Sequence, residues 1–546
     1  MKKTIFFLLA FATAAYCYSQ SHQKNGTGFL HTSGQDIVDE SGEKIFLKGI
    51  GLGNWLLPEG YMWKFGSMGD RPRKIEKVVA DLVGQEKAAI FWKTFRQNYI
   101  TEADIKRIAG LGFNSVRPAM NSRLFLTEDK NPVYVEEGFQ LIDSLVSWCK
   151  KYDLYVILDM HGAPGGQTGA NIDDSPNDIP ELFIDPKYQD QLVNLWVKIA
   201  QRYKDEPTVA AYDLLNEPLP KSTGAAEKYK HLLVPLYKRI TMEIRKVDQK
   251  HMITLEGFDW ANDWSLFDAP FDKNVFYQFH YYCWNRPDNL NSIDQYVSKR
   301  NELNTPIWVG ETGEKGNAVY WATSQYFAAN NIGFSFWPWK KMDTHNTPYS
   351  IQKPKNWDLI SEYTKGGPKP DPVIAGQALN DLLENIKLKN CTYFEDVCNA
   401  VLTRIPGKIE AENYGHKGVN RSYFVINNQN MAKTYRTNEP VQIVLDSKID
   451  DQFWSDQSVE LQKLEWVVYN FNCLDDNTHQ MSIRSSAPGK PVKITIRIND
   501  RKENLSVCNT NLTEVKVGDF KLNKGENKIK IEVQSNTLKL DWIRFN

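Results

Sequence analysis

The 546-residue sequence has almost no excess charge of either sign, few cysteines and, beyond its first residues, no long apolar run. A formal net charge of −1 leaves no basic field to gather nucleic acid or an anionic surface, so neither is expected as a partner. No later stretch reaches the roughly 18 consecutive apolar residues of a membrane-spanning helix, so no membrane span is expected. Neither Cys-x-x-Cys nor His-x-x-x-His spacing occurs, and with them go the commonest zinc signatures. Internal repeats and low-complexity linkers are also missing, which excludes a solenoid. Seven cysteines are present. The spacings Cys391/Cys398 and Cys473/Cys508 would allow two disulfides in an oxidising compartment, and Cys149 and Cys283 read as buried thiols.

Residues 1–20 pair Lys2 and Lys3 with the apolar run Ile5 to Ala15 and then small and polar residues, the pattern of a secretory signal peptide cleaved near Gln20. The expected product is secreted or periplasmic. Tyr16 before Cys17 is too bulky for the lipoprotein pattern, so a lipid-anchored surface form is the less favoured expectation. A chain of this length exceeds one core and implies two domains. The 16 Trp and 25 Tyr exceed what such cores need, and exposed rings of this kind stack on sugars.

Between about Lys44 and Trp337 strand-like runs alternate with amphipathic helical stretches. The strands are read as Ile45–Leu52, Phe113–Pro118, Tyr155–Met160, Val209–Leu215, Met252–Glu256, Val275–Tyr281, Pro306–Gly310 and Ile332–Phe336. Helices are expected at Glu102–Gly110, Val135–Lys151, Gln189–Tyr203 and Ala225–Val247. Eight strand-then-helix units predict an α/β fold, a (β/α)8 TIM barrel over 27–372, with functional residues after the strands. A connecting segment follows over 373–403, with a helical pattern at Val373–Asn385. Short alternating strands then predict an all-β, jelly-roll-like sandwich over 404–546. Gly49, Gly51 and Gly53 do not place a third glycine at the spacing of a dinucleotide fingerprint and no helix opens directly on them, so they are read as sites of close backbone packing. Arg71, Arg73 and Lys74 are read as a solvated cluster, and the charge balance and composition suggest a monomer.

The apolar run 208–215 stops at Asn216-Glu217-Pro218, and Pro306-Ile-Trp-Val-Gly310 stops at Glu311. On opposing sides of a barrel mouth these carboxyls would face one another, as acetal cleavage requires of an acid and a nucleophile. Arg117 closes the second strand and could hold Glu311 ionised. His161, His280, Tyr282 and Trp337 stand at further strand ends.

These positions resemble glycoside hydrolase family 5, the cellulase family: Arg117 in Phe-Asn-Ser-Val-Arg-Pro, His161 in Leu-Asp-Met-His-Gly, Asn216-Glu217-Pro218, His280 with Tyr282, Glu311 in Val-Gly-Glu-Thr-Gly, and Trp337. The resemblance implies a retaining β-glycosidase without a catalytic cofactor. Glu217 would be the acid/base and Glu311 the nucleophile. Asn216 would bind the sugar 2-hydroxyl, Tyr282 would touch the nucleophile, and His161 and His280 would shape the subsite over a Trp337 floor. Lys48–Glu59 looks like the exo-β-1,3-glucanase-type members, and the endo-β-1,4-glucanase type stays open beside it. A β-mannanase or other glycosidase of the family, or a non-catalytic glycan-binding protein on a degenerate barrel, are the alternatives. The partner would be a polysaccharide or oligosaccharide. Loops Gly165–Phe183 and Lys340–Ile351 could wall the cleft into a pocket, with Trp260, Trp264, Trp339 and Lys340 as subsite residues. Gly407–Tyr414, Leu464–Tyr469 and Leu540–Phe545 resemble carbohydrate-binding module family 6, which implies a structural calcium on Glu410, Glu412 and Asp541. Tyr423 and Phe424 would be its aromatic face.

Overall fold

The computed structural model describes residues 28–283, 287–429, 435–446 and 457–546. The expected leader and Cys17 lie outside the described residues. Eight parallel strands close into a barrel: β1 Lys48–Gly51, β2 Ser115–Arg117, β3 Tyr155–Gly162, β4 Val209–Asp213, β5 Met252–Glu256, β6 Val275–Tyr281, β7 Ile307–Gly313 and β8 Gly333–Trp337. β2 pairs with both β1 and β3, and β8 with β1, so the sheet has no open edge. Pro118 has no N–H to donate and interrupts the second strand, which resumes at Ala119–Asn121 against β3. Every residue of β3 to β7 is buried, which is why these strands read as continuous apolar runs rather than alternating ones.

Helices wrap the barrel. In α1, Glu136–Lys151, the buried positions Phe139, Ile142, Leu145, Val146 and Cys149 recur at three- and four-residue spacing and form one stripe. In α2, Pro186–Tyr203, the Asp185 side chain accepts from the Lys187 amide and Pro186 takes the first helical position, where its missing N–H costs nothing. The predicted Ala225–Val247 helix is split into Ala225–Tyr229 and α3, Leu233–Arg245. Pro235 lacks an N–H and its ring meets the carbonyl four residues back, so one continuous helix cannot form through it. No helix among the described residues is long and apolar enough to cross a membrane.

From Arg404 onward two antiparallel-rich sheets stack. One carries β9 Trp466–Cys473, β10 Gly525–Val533, β11 Val492–Ile498 and β12 Arg501–Val507, with Tyr423–Phe424 on its edge. The other carries Gln442–Leu445, Gln457–Leu461, Leu538–Phe545, Thr478–Ser486 and Thr513–Lys521, with Gly407–Glu410 beside Leu538–Phe545. Exposed Lys493 and Arg497 alternate with buried neighbours along β11, the pattern of a strand with one wet face.

The expected disulfides do not form. Cys391, Cys398, Cys473 and Cys508 are free, while Cys149 and Cys283 are the buried thiols expected. Closeness in sequence says nothing about where a Cβ points: Cys398 is buried, Cys508 is exposed, and Cys391 donates to the carbonyls of Asn385 and Lys387. Arg71 and Arg73 are likewise not a solvated pair. Arg71 is buried and ion-paired to Asp70 and Asp178, and Arg73 binds Asp174 and Glu128, so both are tied to the loop after β3.

Candidate active site

Arg117, fully buried at the end of β2, organises the mouth of the barrel. Its guanidinium donates to Asp213 at 2.9 Å, Glu311 at 2.6 Å, Asn216 Oδ1 at 2.8 Å and Glu256 at 3.2 Å, and lies 3.3 Å from Asp159. One planar fork thereby orients carboxyls delivered by β3, β4, β5 and β7. Three of these partners, Asp159, Asp213 and Glu256, are invisible to motif reading. The available signal was a carboxyl inside an otherwise apolar strand, where burying it demands a partner.

Glu311 is aimed by a local break in the ladder. The register between β7 and β6 shifts between Val309 and Glu311, and a Cβ on Gly310 would stand 1.8 Å from Gln278 Oε1 and 2.9 Å from His280 Nε2, so a larger residue would displace both side chains. Glu311 Oε2 accepts from the Tyr282 hydroxyl at 2.5 Å. Burial would raise its pKa, but His280, Arg117 and His161 outweigh burial and hold the carboxyl below the ordinary glutamate range.

Glu217 sits in the turn after β4 at a φ of 44°, a left-handed conformation that an L residue holds only at a cost. Local hydrogen bonds over-determine it: the Glu217 amide donates to Glu256 at 2.6 Å, the Asn216 amide to Met160 O at 3.1 Å, and Gln167 Nε2 to Asn216 O at 2.9 Å. The Glu217 carboxylate bonds His280 Nδ1 at 2.7 Å. Burial, with help from Glu311 and Glu256, raises its pKa against the pull of His280. Oxygens of Glu217 and Glu311 lie within 4.8 Å of one another, with His280 between them.

His161 stacks on Trp337, ring centroids 5.3 Å apart and 6° from parallel, and holds Asp159 at 2.8 Å and Asn216 Nδ2 at 3.3 Å. Burial disfavours its charge, but Asp159 and Glu311 overcome this and push its pKa up to about 9. Trp337 explains the glycines at and just after the end of β1: a Cβ on Gly51 would stand 2.3 Å from its ring and one on Gly53 2.5 Å. The structure thus brings Arg117, His161, Asn216, Glu217, His280, Tyr282, Glu311 and Trp337 together.

The catalytic-type carboxyls open on a cavity of about 520 Å³ whose walls include Glu59, Tyr61, Ile172, Trp260, Glu314 and Trp337. Glu59 is buried with Oε1 lacking a partner among the described residues, and burial followed by its acidic neighbours raises its pKa well above the ordinary value. Of the four residues expected in subsites, only Trp260 lines this cavity. Trp339 and Lys340 are core: both donate to buried Asp104, at 2.9 and 3.0 Å. Trp264 packs into Phe267, Tyr277, Phe279 and Tyr296. The 165–183 loop is stapled down by Asp173, which accepts amides of Gln167, Thr168 and Ser175 at 2.7–2.8 Å, and by Asp174, bonded to Asn121 and Arg123.

In the sandwich, Glu410, Glu412 and Asp541 are buried neighbours, joined where the Ala411 amide donates to Asp541 O at 2.8 Å. Lys408 pairs with Glu410 at 2.6 Å and Arg484 with Asp541. Both carboxylate oxygens of Glu412 and one of Glu410 have no hydrogen-bond partner among the described residues. Burial, reinforced for Glu412 by Glu410, raises both pKa values, that of Glu410 to about 7. Orphaned oxygens are donors of the kind a hard cation takes, although the three carboxylates do not gather within 4.8 Å of one another as the Glu217, His280 and Glu311 donors do. Tyr423 is not an open sugar platform; it is buried against Tyr414. The half-buried Phe424 stacks on Trp466 instead.

Comparison with known proteins agrees with this geometry. Residues 80–343 match Cellulase (glycosyl hydrolase family 5). The chain is 34% identical over 257 residues to the "Beta-xylosidase" of Phanerodontia chrysosporium, covering 46% of this chain and 52% of that protein. It is 33% identical over 196 residues to "Endoglucanase C" of Acetivibrio thermocellus, covering 35% and 53%. It is 28% identical over 309 residues to "Probable glucan 1,3-beta-glucosidase A" of Emericella nidulans, covering 54% and 72%. The chain spans about half the length of the first two of these relatives. Over residues 80–343 the chain is accordingly similar to the cellulase family, glycosyl hydrolase family 5.

Proposed function

We propose that the protein is an exported retaining β-glycosidase that hydrolyses β-linked glucan or a related polysaccharide by double displacement, Glu311 attacking the anomeric carbon and Glu217 serving as acid and then base. The observation that carries this reading is the pair itself: two carboxylates with oxygens within 4.8 Å, one with its pKa lowered and the other raised. Oxygens this close are compatible with the roughly 5–5.5 Å between the carboxyl groups of retaining enzymes, the arrangement we favour over the roughly 6.5–9.5 Å of inverting ones. Arg117 and Tyr282 keep Glu311 ionised for attack, and the burial of Glu217 keeps its proton until the leaving oxygen takes it.

Exo action is the finer reading. The stapled 165–183 loop contributes Ile172 to one wall and the β5 loop contributes Trp260 to another, so the site is a walled cavity. Relatives named as a β-xylosidase and a glucan 1,3-β-glucosidase agree with release of single sugars from chain ends. Orphaned oxygens on Glu410 and Glu412 support a structural calcium in the sandwich, outside the catalytic chemistry. The test is hydrolysis of β-1,3-, β-1,4- and β-1,6-glucans, mannan and aryl β-glycosides, with product sizes recorded and the first-formed anomer followed by NMR. The expected result is monosaccharide product with the β-anomer appearing first; an initial α-anomer would overturn the double displacement.

A further inference from the structure

At one end of the sandwich, the hairpin joining β9 to Thr478–Ser486 gathers a thiol, a carboxylate and an imidazole within one seven-residue stretch, Cys473-Leu-Asp475-Asp-Asn-Thr-His479. Cys473 Sγ lies 3.5 Å from His479 Nε2 and 3.9 Å from Asp475 Oδ1, and His479 Nε2 lies 4.0 Å from Asp475 Oδ1. The last distance is too long for a hydrogen bond, which would close to about 2.9 Å. The thiol–imidazole distance of 3.5 Å matches the edge of a zinc coordination tetrahedron, and the two distances to Asp475 Oδ1 exceed it by a few tenths of an ångström. Zinc bonds of about 2.0–2.3 Å to nitrogen, oxygen and sulfur set donor–donor edges of about 3.3–3.6 Å. The thiol meets both partners in long sulfur contacts, and the three donor atoms converge within 4.8 Å of one another.

The sheets, as well as the donors' contacts with each other, hold the donors in place. Cys473 is fixed between Gly525 of β10 and Ile405, and His479 is paired with Phe520. Asn477 Nδ2 donates to Asp475 Oδ2 at 2.6 Å, which leaves Oδ1 facing the thiol. The turn is tied down by Leu522 N to Asn477 O at 2.9 Å and Lys524 N to Asp476 Oδ1 at 2.8 Å. Such outer-shell support is what orients metal ligands. A thiolate with an imidazole selects a borderline transition cation over calcium or magnesium.

We propose that Cys473, Asp475 and His479 form a zinc site with three protein ligands and one position left for water, which closes this hairpin of the sandwich. The site is separate from the Glu410, Glu412 and Asp541 cluster and uses a spacing, Cys-x-Asp-x-x-x-His, outside the familiar zinc patterns.

The test uses the full chain, stripped with chelator and titrated with zinc chloride or with cobalt(II) as a spectroscopic stand-in. Expected is one equivalent of zinc displaced competitively by cobalt, with a thiolate-to-cobalt charge-transfer band in the near ultraviolet. C473S should abolish the band, and H479N should weaken binding by about tenfold or more. E311Q, which alters the other cluster of metal-type donors at Glu217, His280 and Glu311, should leave the band intact. Wild-type chain that gives no thiolate band, or zinc that binds C473S and H479N as tightly as wild type, overturns the proposal. The wild-type spectrum decides the matter even if a variant fails to fold.

Discussion

The barrel mouth and the sandwich edge each bury at least three carboxyls, yet they solve the same electrostatic problem differently. At the mouth, Arg117 and His280 lie among the acids, and Glu311 ends below the ordinary glutamate range. At the sandwich edge Lys408 pairs with Glu410 and Arg484 with Asp541, one oxygen of Glu410 and both of Glu412 have no hydrogen-bond partner among the described residues, and the Glu412 pKa is driven well up by burial. A buried ion costs several kcal/mol unless its geometry is fully answered. Fixed cations therefore leave a carboxylate charged and ready to react, whereas their absence leaves it to a proton or a mobile cation.

The largest effect should come from breaking the charged pair at the mouth. E311Q should fold and still bind oligosaccharide but lose turnover by roughly 10⁴-fold or more. E217Q should lose about 10²–10⁴-fold, with smaller losses on aryl glycosides whose leaving groups need no proton. Near-normal kcat for E311Q on the preferred substrate would break the assignment. R117M should come next, lowering stability in urea by about 3–5 kcal/mol because several carboxylates lose their common cation. R117K should recover only part of it, since a point charge cannot serve four partners.

The sandwich cluster should respond to calcium and pH together. Without a cation, Glu410 and Glu412 bind protons more tightly folded than unfolded, so stability is highest at low pH. It should then fall as pH rises from the ordinary glutamate value through about 7, where Glu410 titrates. Calcium at about 100 times its Kd should add about 2–3 kcal/mol and flatten that slope, and E412Q should remove the calcium response. Melting curves in chelator and in calcium across this pH range would show it.

The smallest effect sharpens the role of His280. Under the proposed mechanism activity needs Glu311 ionised and Glu217 protonated, so kcat/KM should fall on the acid side through the lowered Glu311 value and on the alkaline side through the raised Glu217 value. His280 pulls both values down. H280N should therefore move both limbs of the pH profile upward, and unmoved limbs would assign His280 to packing alone.

The barrel was legible because its strands are unbroken apolar runs, and Met252–Glu256 and Val275–Tyr281 match their expected bounds. Residues carrying a motif were legible too, from Arg117 to Trp337. Less visible was whatever depended on direction. Lys340 and Trp339 follow a barrel strand as subsite residues would, but their side chains turn inward to Asp104. Arg71 and Arg73 looked solvated because their partners, Asp174 and Asp178, lie about a hundred residues away in sequence.

Periodicity, turn residues and the Asn-Glu-Pro and Val-Gly-Glu-Thr segments were enough, by themselves, to establish the (β/α)8 barrel, the β-sandwich after it and the two facing glutamates, since these depend on local pattern and chain order. Only the tertiary structure decided which acid is kept charged, which cysteines stay free, and that Cys473, Asp475 and His479 converge. Those outcomes depend on side-chain direction and on partners brought from distant segments, and charge and coordination are set by the few ångströms around an atom rather than by its place in the chain.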